Sequence, residues 1–115
     1  LNIRSDIITY LIQRYGCHVA DIFSLIEQNS RLKQPIIEHL PFCYAELHYV
    51  SHNEMVVHLD DLLRRRIPLL ILHRFNEFSF CQLATYCAQL LSWNEHYLKA
   101  EILRVKEHVY TRHWS

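Results

Sequence analysis

Residues 45–66, AELHYVSHNEMVVHLDDLLRRR, hold the densest mixture of apolar and charged side chains in the chain. The acidic residues of this segment come first, and three arginines stand at its C-terminal end. This order suits helix dipoles, because carboxylates stabilise helix starts and cations stabilise helix ends. The spacing of Leu59, Leu62, Leu63 and Arg66 predicts a short helix over residues 59–66. A helix is also predicted over residues 44–53, where alternating apolar positions leave a strand open as the alternative.

The composition of the whole chain indicates an all-α protein. It has 115 residues, half of them apolar, with a single glycine and three prolines. Sandwiches and barrels need many more turn glycines, and the apolar and aromatic content argues against disorder. We therefore predict a single domain, residues 1–115, of five to six short-to-medium helices in an irregular orthogonal bundle. The predicted helices cover residues 6–15, 18–28, 44–53, 59–66, 79–91 and 95–112.

Capping residues refine these boundaries. Ser5 is predicted to cap the first helix, Ser79 to start the fifth and Asn94 to cap the last. Pro68 disfavours continuation of the fourth helix, so residues 68–76 are predicted to be an extended, largely buried connection. The last helix is expected to bury Leu98, Ile102, Val105 and Val109. Its predicted solvated face consists of Lys99, Glu101, Lys106 and Glu107.

Charge and cysteine content narrow the classes of function. Equal numbers of basic and acidic residues, 12 of each, argue against an electrostatically driven nucleic-acid binder. No apolar run approaches the roughly 20 residues of a membrane span. The four cysteines show no zinc-ligand spacing, so reduced thiols in a cytoplasmic domain are expected. Because the chain begins with Leu1 and shows no signal peptide, we expect a fragment cut from a longer protein.

Nine histidines are the best candidates for chemistry. His48 and His52 stand four residues apart and would share one face of a helix, as two metal ligands do. No H-E-x-x-H pattern supplies a third ligand, so a small metal-binding domain stands as an alternative interpretation. His58 lies beside two aspartates, yet no serine or cysteine stands in a nucleophile context. We therefore predict no catalytic, cofactor-binding or metal-binding residue in this chain.

The charged residues of the opening segment suit a structural role better than catalysis. A short basic run on a neutral domain is typical of a solvated face or of internal ion pairs. Such pairs fix geometry more reliably than they add stability. We predict a structural ion-pair network made of Glu46, Glu54, Asp61, Arg65 and Arg66.

Three segments resemble one protein family, in order along nearly the whole chain. The segment ELHYVSHNEMVVHLDDLLRRR is similar to a family segment with Ala-Glu, a Tyr, a Glu-Met and a Leu-x-Asp-x-Leu-x-Arg-Arg ending. The matching residues are Ala45, Glu46, Tyr49, Glu54, Met55, Leu59, Asp61, Leu63, Arg65 and Arg66. Upstream, LIQRYGCHVADIFSLI contains the family's Arg-Tyr-Gly turn, and downstream LLSWNEHYLKAEI matches at Trp93. The chain resembles the C-terminal helical domain of FAD-dependent, quinone-linked glycerol-3-phosphate dehydrogenases.

Three positions depart from the family's pattern. The family often has Gly where this chain has Ser92, and commonly a capping Thr where this chain has His58. After the paired arginines a Thr is usual, whereas Ile67 and Pro68 follow here. The first two departures affect a turn and a helix cap, and the third is expected to re-route the connection after Arg66.

The resemblance implies an activity for the parent protein and a place for this chain within it. The parent would oxidise sn-glycerol 3-phosphate to dihydroxyacetone phosphate with FAD and pass the electrons to quinone. This chain would be its C-terminal structural domain, packed on the N-terminal FAD and substrate domain, with FAD bound outside the fragment. The parent would lie on the cytoplasmic face of the inner membrane, and homodimerisation is left open. The alternative without catalysis is a free-standing helical protein-interaction or regulatory module.

Overall fold

The secondary structure of the chain is helical. The computed structural model describes residues 3–108, and within that range the only β contact is an isolated bridge between Pro35 and Cys43. The α-helices are α1 (Ser5–Tyr15), α2 (Val19–Gln28), α3 (Tyr44–Asn53), α4 (Leu69–Leu72), α5 (Glu77–Leu91) and α6 (Glu95–His108). The other helical turns are 3-10 turns at Gly16–His18 and Ser30–Lys33 and a π-helix at Asp61–Arg66. The all-α prediction is confirmed, and the strand alternative for residues 44–53 is wrong.

The chain forms two compact units, which divide after Val50. We call residues 3–50 the first unit and residues 51–108 the second unit. The core of the first unit is made of Ile7, Leu11, Ile22, Ile26, Leu32, Cys43 and Ala45. Buried apolar side chains of the second unit include Leu62, Leu63, Leu69, Phe80, Leu83, Cys87 and Val105. The predicted orthogonal packing of the helices stays a prediction.

The connection between α1 and α2 depends on Gly16. Its φ of +54° lies in a region that side chains with a Cβ atom rarely adopt. The glycine thus stands at the end of the first helix, as predicted, and the 3-10 turn that follows makes α2 begin at Val19 rather than His18. The predicted Ser5 cap is wrong, because Ser5 lies inside the first turn and α1 has no side-chain cap.

The predicted helix over residues 59–66 is present, but most of it has π-helical hydrogen bonding. The amide of Ile67 donates to the carbonyl of Leu62, five residues earlier, at 2.9 Å. The extended connection predicted over residues 68–76 is wrong for residues 69–72, which form the short helix α4, while residues 73–76 lie outside any helix. A proline is well tolerated just before or at the first turn of a helix, where its missing amide leaves no bond unmade.

Side-chain caps define the residues at which α5 and α6 begin. The Oδ1 atom of Asn76 accepts a 2.8 Å hydrogen bond from the amide of Ser79, so α5 begins two residues before the predicted Ser79 start. Asn94 caps α6 as predicted, through a 2.7 Å bond from the amide of Tyr97. Between them Ser92 adopts the left-handed conformation with φ +58°, at the position where the resembled family often has glycine. The predicted extension of the last helix through residues 109–112, with Val109 inward, lies outside the described residues.

Candidate functional site

The first unit completely encloses one acidic side chain. Glu46 lies on α3 with 0% of its surface exposed. The hydroxyls of Tyr10 and Tyr15 each donate a 2.6 Å hydrogen bond to its Oε2 atom. Arg14 Nε lies 3.8 Å from the same oxygen. Three polar side chains of α1 therefore converge on one carboxylate of α3, and we call these four residues the Glu46 cluster.

Helical spacing and ring packing explain why these groups meet. Tyr10 and Arg14 are four residues apart and share one face of α1, where the Arg14 guanidinium also donates to the Tyr10 hydroxyl at 3.2 Å. The ring of Tyr10 packs edge-on against Phe42, with 5.0 Å between centroids. The ring of Tyr15 packs in the same manner against Tyr49 at 5.5 Å. These aromatic contacts orient both hydroxyls toward the carboxylate.

The cluster has unusual acid–base properties. Burial raises the pKa of Glu46 above its ordinary value of 4.5, against the opposing effects of the tyrosine hydrogen bonds and Arg14. Burial and the negative charge of Glu46 also raise the pKa of Tyr10 and of Tyr15. The Oε1 atom of Glu46 is buried and has no hydrogen-bond partner among the described residues. Because Glu46 exposes no surface, its carboxylate can hold a proton but cannot touch a substrate.

The other four residues of the predicted ion-pair network lie in the second unit. Arg66 Nη1 lies 2.8 Å from Glu54 Oε1, and Arg65 Nε lies 3.9 Å from Asp61 Oδ1 one turn away. The Arg65 side chain is 81% exposed, so its pair is screened by solvent and contributes little. The structure thus places the predicted residues in two surface pairs and, separately, in the Glu46 cluster. A single network joining all five stays a prediction.

A second buried carboxylate was assigned wrongly from the sequence. Glu101 was predicted on the solvated face of the last helix, yet it is only 5% exposed. Its Oε1 atom accepts a 2.8 Å hydrogen bond from the amide of Leu59, and its Oε2 atom lies 3.1 Å from His58 Nδ1. One turn further along α6, Arg104 pairs with Asp60. Glu101 therefore caps the helical segment that begins at Leu59.

Two signals in the sequence could have located Glu101. It stands three residues after Leu98 and four before Val105, in register with the apolar stripe of its helix. In addition, His58 stands where the resembled family has a capping Thr, so the following helix needs another acceptor at its start. Glu101, an acid on the apolar stripe of α6, can supply that acceptor.

The sequence candidates for metal binding and for nucleophilic chemistry do not converge in the structure. His48 and His52 both lie on α3, but across residues 3–108 no three His, Cys, Asp or Glu side chains come together to hold a metal ion. Cys43 and Cys87 are buried, and burial raises the pKa of both thiols, which keeps them protonated. None of the helices in the described part of the chain is both long and apolar enough to cross a membrane.

Comparisons with known proteins identify related sequences. Residues 1–102 match the family described as the C-terminal domain of alpha-glycerophosphate oxidase. A glycerol-3-phosphate dehydrogenase from Synechocystis sp. is 28% identical over 105 residues, which is 89% of this chain and 19% of the relative. One from Mycobacterium leprae is 26% identical over 96 residues, covering 83% of this chain and 16% of the relative.

A shorter match reaches a somewhat higher identity. Glycerol-3-phosphate dehydrogenase 2 from Mycobacterium bovis is 30% identical over 64 residues, which is 56% of this chain and 11% of the relative. The chain thus spans between 11% and 19% of the length of these three relatives. Comparison with solved structures gives no significant match.

Proposed function

Because the chain belongs to the family of the C-terminal domain of alpha-glycerophosphate oxidase, we propose that it is the helical C-terminal domain of a longer glycerol-3-phosphate dehydrogenase. The family match over residues 1–102 carries this proposal. The longer protein would oxidise sn-glycerol 3-phosphate to dihydroxyacetone phosphate, with FAD as the first electron acceptor and quinone as the second. We place it on the cytoplasmic face of the inner membrane, where quinone is available.

FAD does not fit the residues of this chain. Dinucleotide cofactors bind where a glycine-rich turn joins a strand to a helix, because the backbone must approach the pyrophosphate closely. The chain has a single glycine, and no strand is formed within residues 3–108. The flavin would therefore be held by another part of the longer protein, and no catalytic step is assigned to the residues described above.

The contribution of this chain would be a helical domain on which the flavin-binding part packs. In the first unit the Glu46 cluster joins α1 to α3, and in the second unit Glu101 joins the segment after His58 to α6. Buried polar contacts of this kind favour one arrangement of helices over others, because a misplaced helix leaves a buried group unpaired. Both carboxylates are used inside the domain, which supports a structural role.

Electron transfer by the longer protein tests the proposal. Purified in detergent, it should reduce a short-chain ubiquinone analogue when sn-glycerol 3-phosphate is added. Glycerol is the matched control substrate, because it lacks the phosphate and should support little or no reduction. A purified protein with no such activity would contradict the proposed reaction. A native gene that encodes this helical domain alone would favour the free-standing interaction module instead.

A further inference from the structure

The helix α5 lacks charge on every side over most of its length. The chain contains 12 Lys and Arg, 12 Asp and Glu and nine His, yet none of them lies between Phe78 and Asn94. One side of α5 is buried within this chain, through Phe80, Leu83, Ala84, Cys87 and Ala88. A surface helix normally carries charged or strongly polar residues opposite its buried side. The outward side of α5 has aromatic, amide and small side chains instead.

These outward side chains, all on α5 itself, border a shallow and open groove along one side of the helix. It has a volume of about 440 Å³ and is lined by Phe78, Cys81, Gln82, Thr85, Tyr86 and Gln89. We call these six residues the α5 groove. Phe78 is 71% exposed at one end of it. The Thr85 hydroxyl donates to the carbonyl of Cys81 at 2.8 Å, so this polar group is already satisfied within the helix.

The chemistry of the groove is that of the buried centre of a protein interface. Such centres are depleted of charged residues and enriched in aromatic ones, and α5 lacks the charged side that a helix facing solvent normally carries. A membrane surface is a poorer occupant, because peripheral binding to anionic lipid depends on Lys and Arg, which residues 78–94 lack. The groove therefore favours an uncharged protein surface.

The length of the relatives indicates where that surface comes from. The dehydrogenases that this chain resembles extend over at least five times the matched length, since the match covers 11–19% of each. We propose that the flavin-binding part of the longer protein packs on the α5 groove and buries Phe78 there. This inference rests on the proposed function and adds to it the surface through which the two parts meet.

Cysteine alkylation in the intact flavoprotein tests the inference. Cys81 lies in the groove, and the exposed thiol of Cys17, on the turn after α1, is an internal reference. In the native longer protein, iodoacetamide should modify Cys81 at least about tenfold more slowly than Cys17, because only local opening exposes a packed thiol. Cys81 is half-buried within this chain itself, so the decisive readout is the change of its rate in the groove variants. Mass spectrometry of peptides from timed samples gives both rates.

The variant Phe78→Glu should raise the alkylation rate of Cys81 several-fold while the rate of Cys17 stays constant. A new carboxylate near Cys81 would by itself slow the reaction, because it disfavours the thiolate. A faster reaction therefore reports loss of packing. Leu103→Glu is the matched control, since Leu103 is another exposed apolar residue, 55% exposed on α6, and it should leave both rates unchanged. If Phe78→Glu gives no soluble protein, Gln82→Glu in the groove serves the same purpose.

Each other outcome overturns the inference. Cys81 that reacts as fast as Cys17 in the native protein shows an uncovered groove, and an unchanged rate in both groove variants shows that the groove is not a packing surface. Protection that disappears on dilution to monomers assigns the groove to a second copy of the chain. Protection that requires phosphatidylglycerol vesicles assigns it to lipid. An active flavoprotein with an uncovered groove refutes this inference alone, whereas absence of flavin and of dehydrogenase activity refutes the proposed function.

Discussion

Each unit buries one carboxylate, and the two carboxylates are held in different ways. Glu46 receives both of its hydrogen bonds on one oxygen, from tyrosine side chains of another helix, while its second oxygen has no partner within residues 3–108. Glu101 uses both oxygens, one for the amide of Leu59 and one for the ring of His58. Glu46 thus joins two helices through side chains alone, whereas Glu101 completes the start of a helix.

This difference determines what each site is sensitive to. The raised pKa of Glu46 means that its negative charge is unfavourable in the folded chain, so protonation and side-chain chemistry control its contribution. Glu101 satisfies a buried backbone amide, which has to find an acceptor whatever the pH. The first site should therefore respond to changes of charge, and the second to changes in how the helix is capped.

The largest expected effect is that of Glu46→Ala. It removes the shared acceptor of Tyr10 and Tyr15 and leaves a cavity, so the free energy of unfolding should fall by about 3 kcal/mol. Urea unfolding of the 115-residue chain, followed by circular dichroism, measures the change. Glu27→Ala removes an exposed acid of the same unit and is the matched control. A loss for Glu46→Ala no larger than that of the control would contradict the role given to the cluster.

The effect of Glu101→Ala should be somewhat smaller and should be repairable. Without its acceptor the buried amide of Leu59 is unpaired, which should lower the free energy of unfolding by about 2 kcal/mol. Adding His58→Thr to this variant restores a capping hydroxyl of the kind the resembled family has, and should recover about 1 kcal/mol. The same urea experiment measures both steps. If the added His58→Thr substitution brings no recovery in the Glu101→Ala background, Glu101 does not act as a helix cap.

The pH dependence of Glu46→Gln should distinguish the two carboxylates. In the folded wild type the pKa of Glu46 is raised, so above about pH 4.5 the folded chain binds this proton more tightly than the unfolded chain. Wild-type stability from this group is therefore lost as pH rises from 4.5 through the raised pKa, by about 1.4 kcal/mol for each unit that the pKa is raised. The stability difference between wild type and Glu46→Gln should accordingly shift in favour of the variant as pH rises. A difference that stays constant from about pH 4 to about pH 8 would show that Glu46 ionises normally.

The smallest effects are expected at the exposed arginines. In the longer protein, Arg66→Ala should lower the melting temperature by about 1 °C, since the pair with Glu54 is half exposed. Arg65→Ala should change it less, because its contact with Asp61 is longer and more exposed. Differential scanning calorimetry measures both. Wild-type melting and flavin content in both variants would refute the predicted ion-pair network as a stabilising element.

Local sequence rules were sufficient for most of the helices. Periodicity and caps located α1, α2, α3, α5 and α6 to within two residues over the described range, because the interactions that start and stop a helix lie within one turn. The helix α4 is the exception, because Pro68 predicts the end of the preceding helix but is equally compatible with the start of a new one. The left-handed conformation of Ser92 is not among the predictions, although the family's glycine at that position is a signal for it.

The partners and the burial of the two carboxylates could not be predicted from the sequence as well as the helices could. Glu46 was named, but its partners Tyr10 and Tyr15 stand 36 and 31 residues away, and no local rule pairs residues at that separation. Glu101 was placed on the wrong face of its helix because its charge was weighted above its register. The missing partners of Glu46 and the wrong face for Glu101 both concern tertiary contacts. Whether a carboxylate is buried depends on partners outside its own helix.

The absorption spectrum of the flavin shows whether the cofactor is bound by this domain or by another part of the longer protein. The longer protein and the 115-residue chain should be purified in parallel, without added cofactor, and compared between about 350 and about 500 nm. We expect flavin bands in the longer protein and none in the chain, because this domain supports a flavin site that lies elsewhere. Stoichiometric flavin bound to the 115-residue chain, or none in the longer protein, would contradict it.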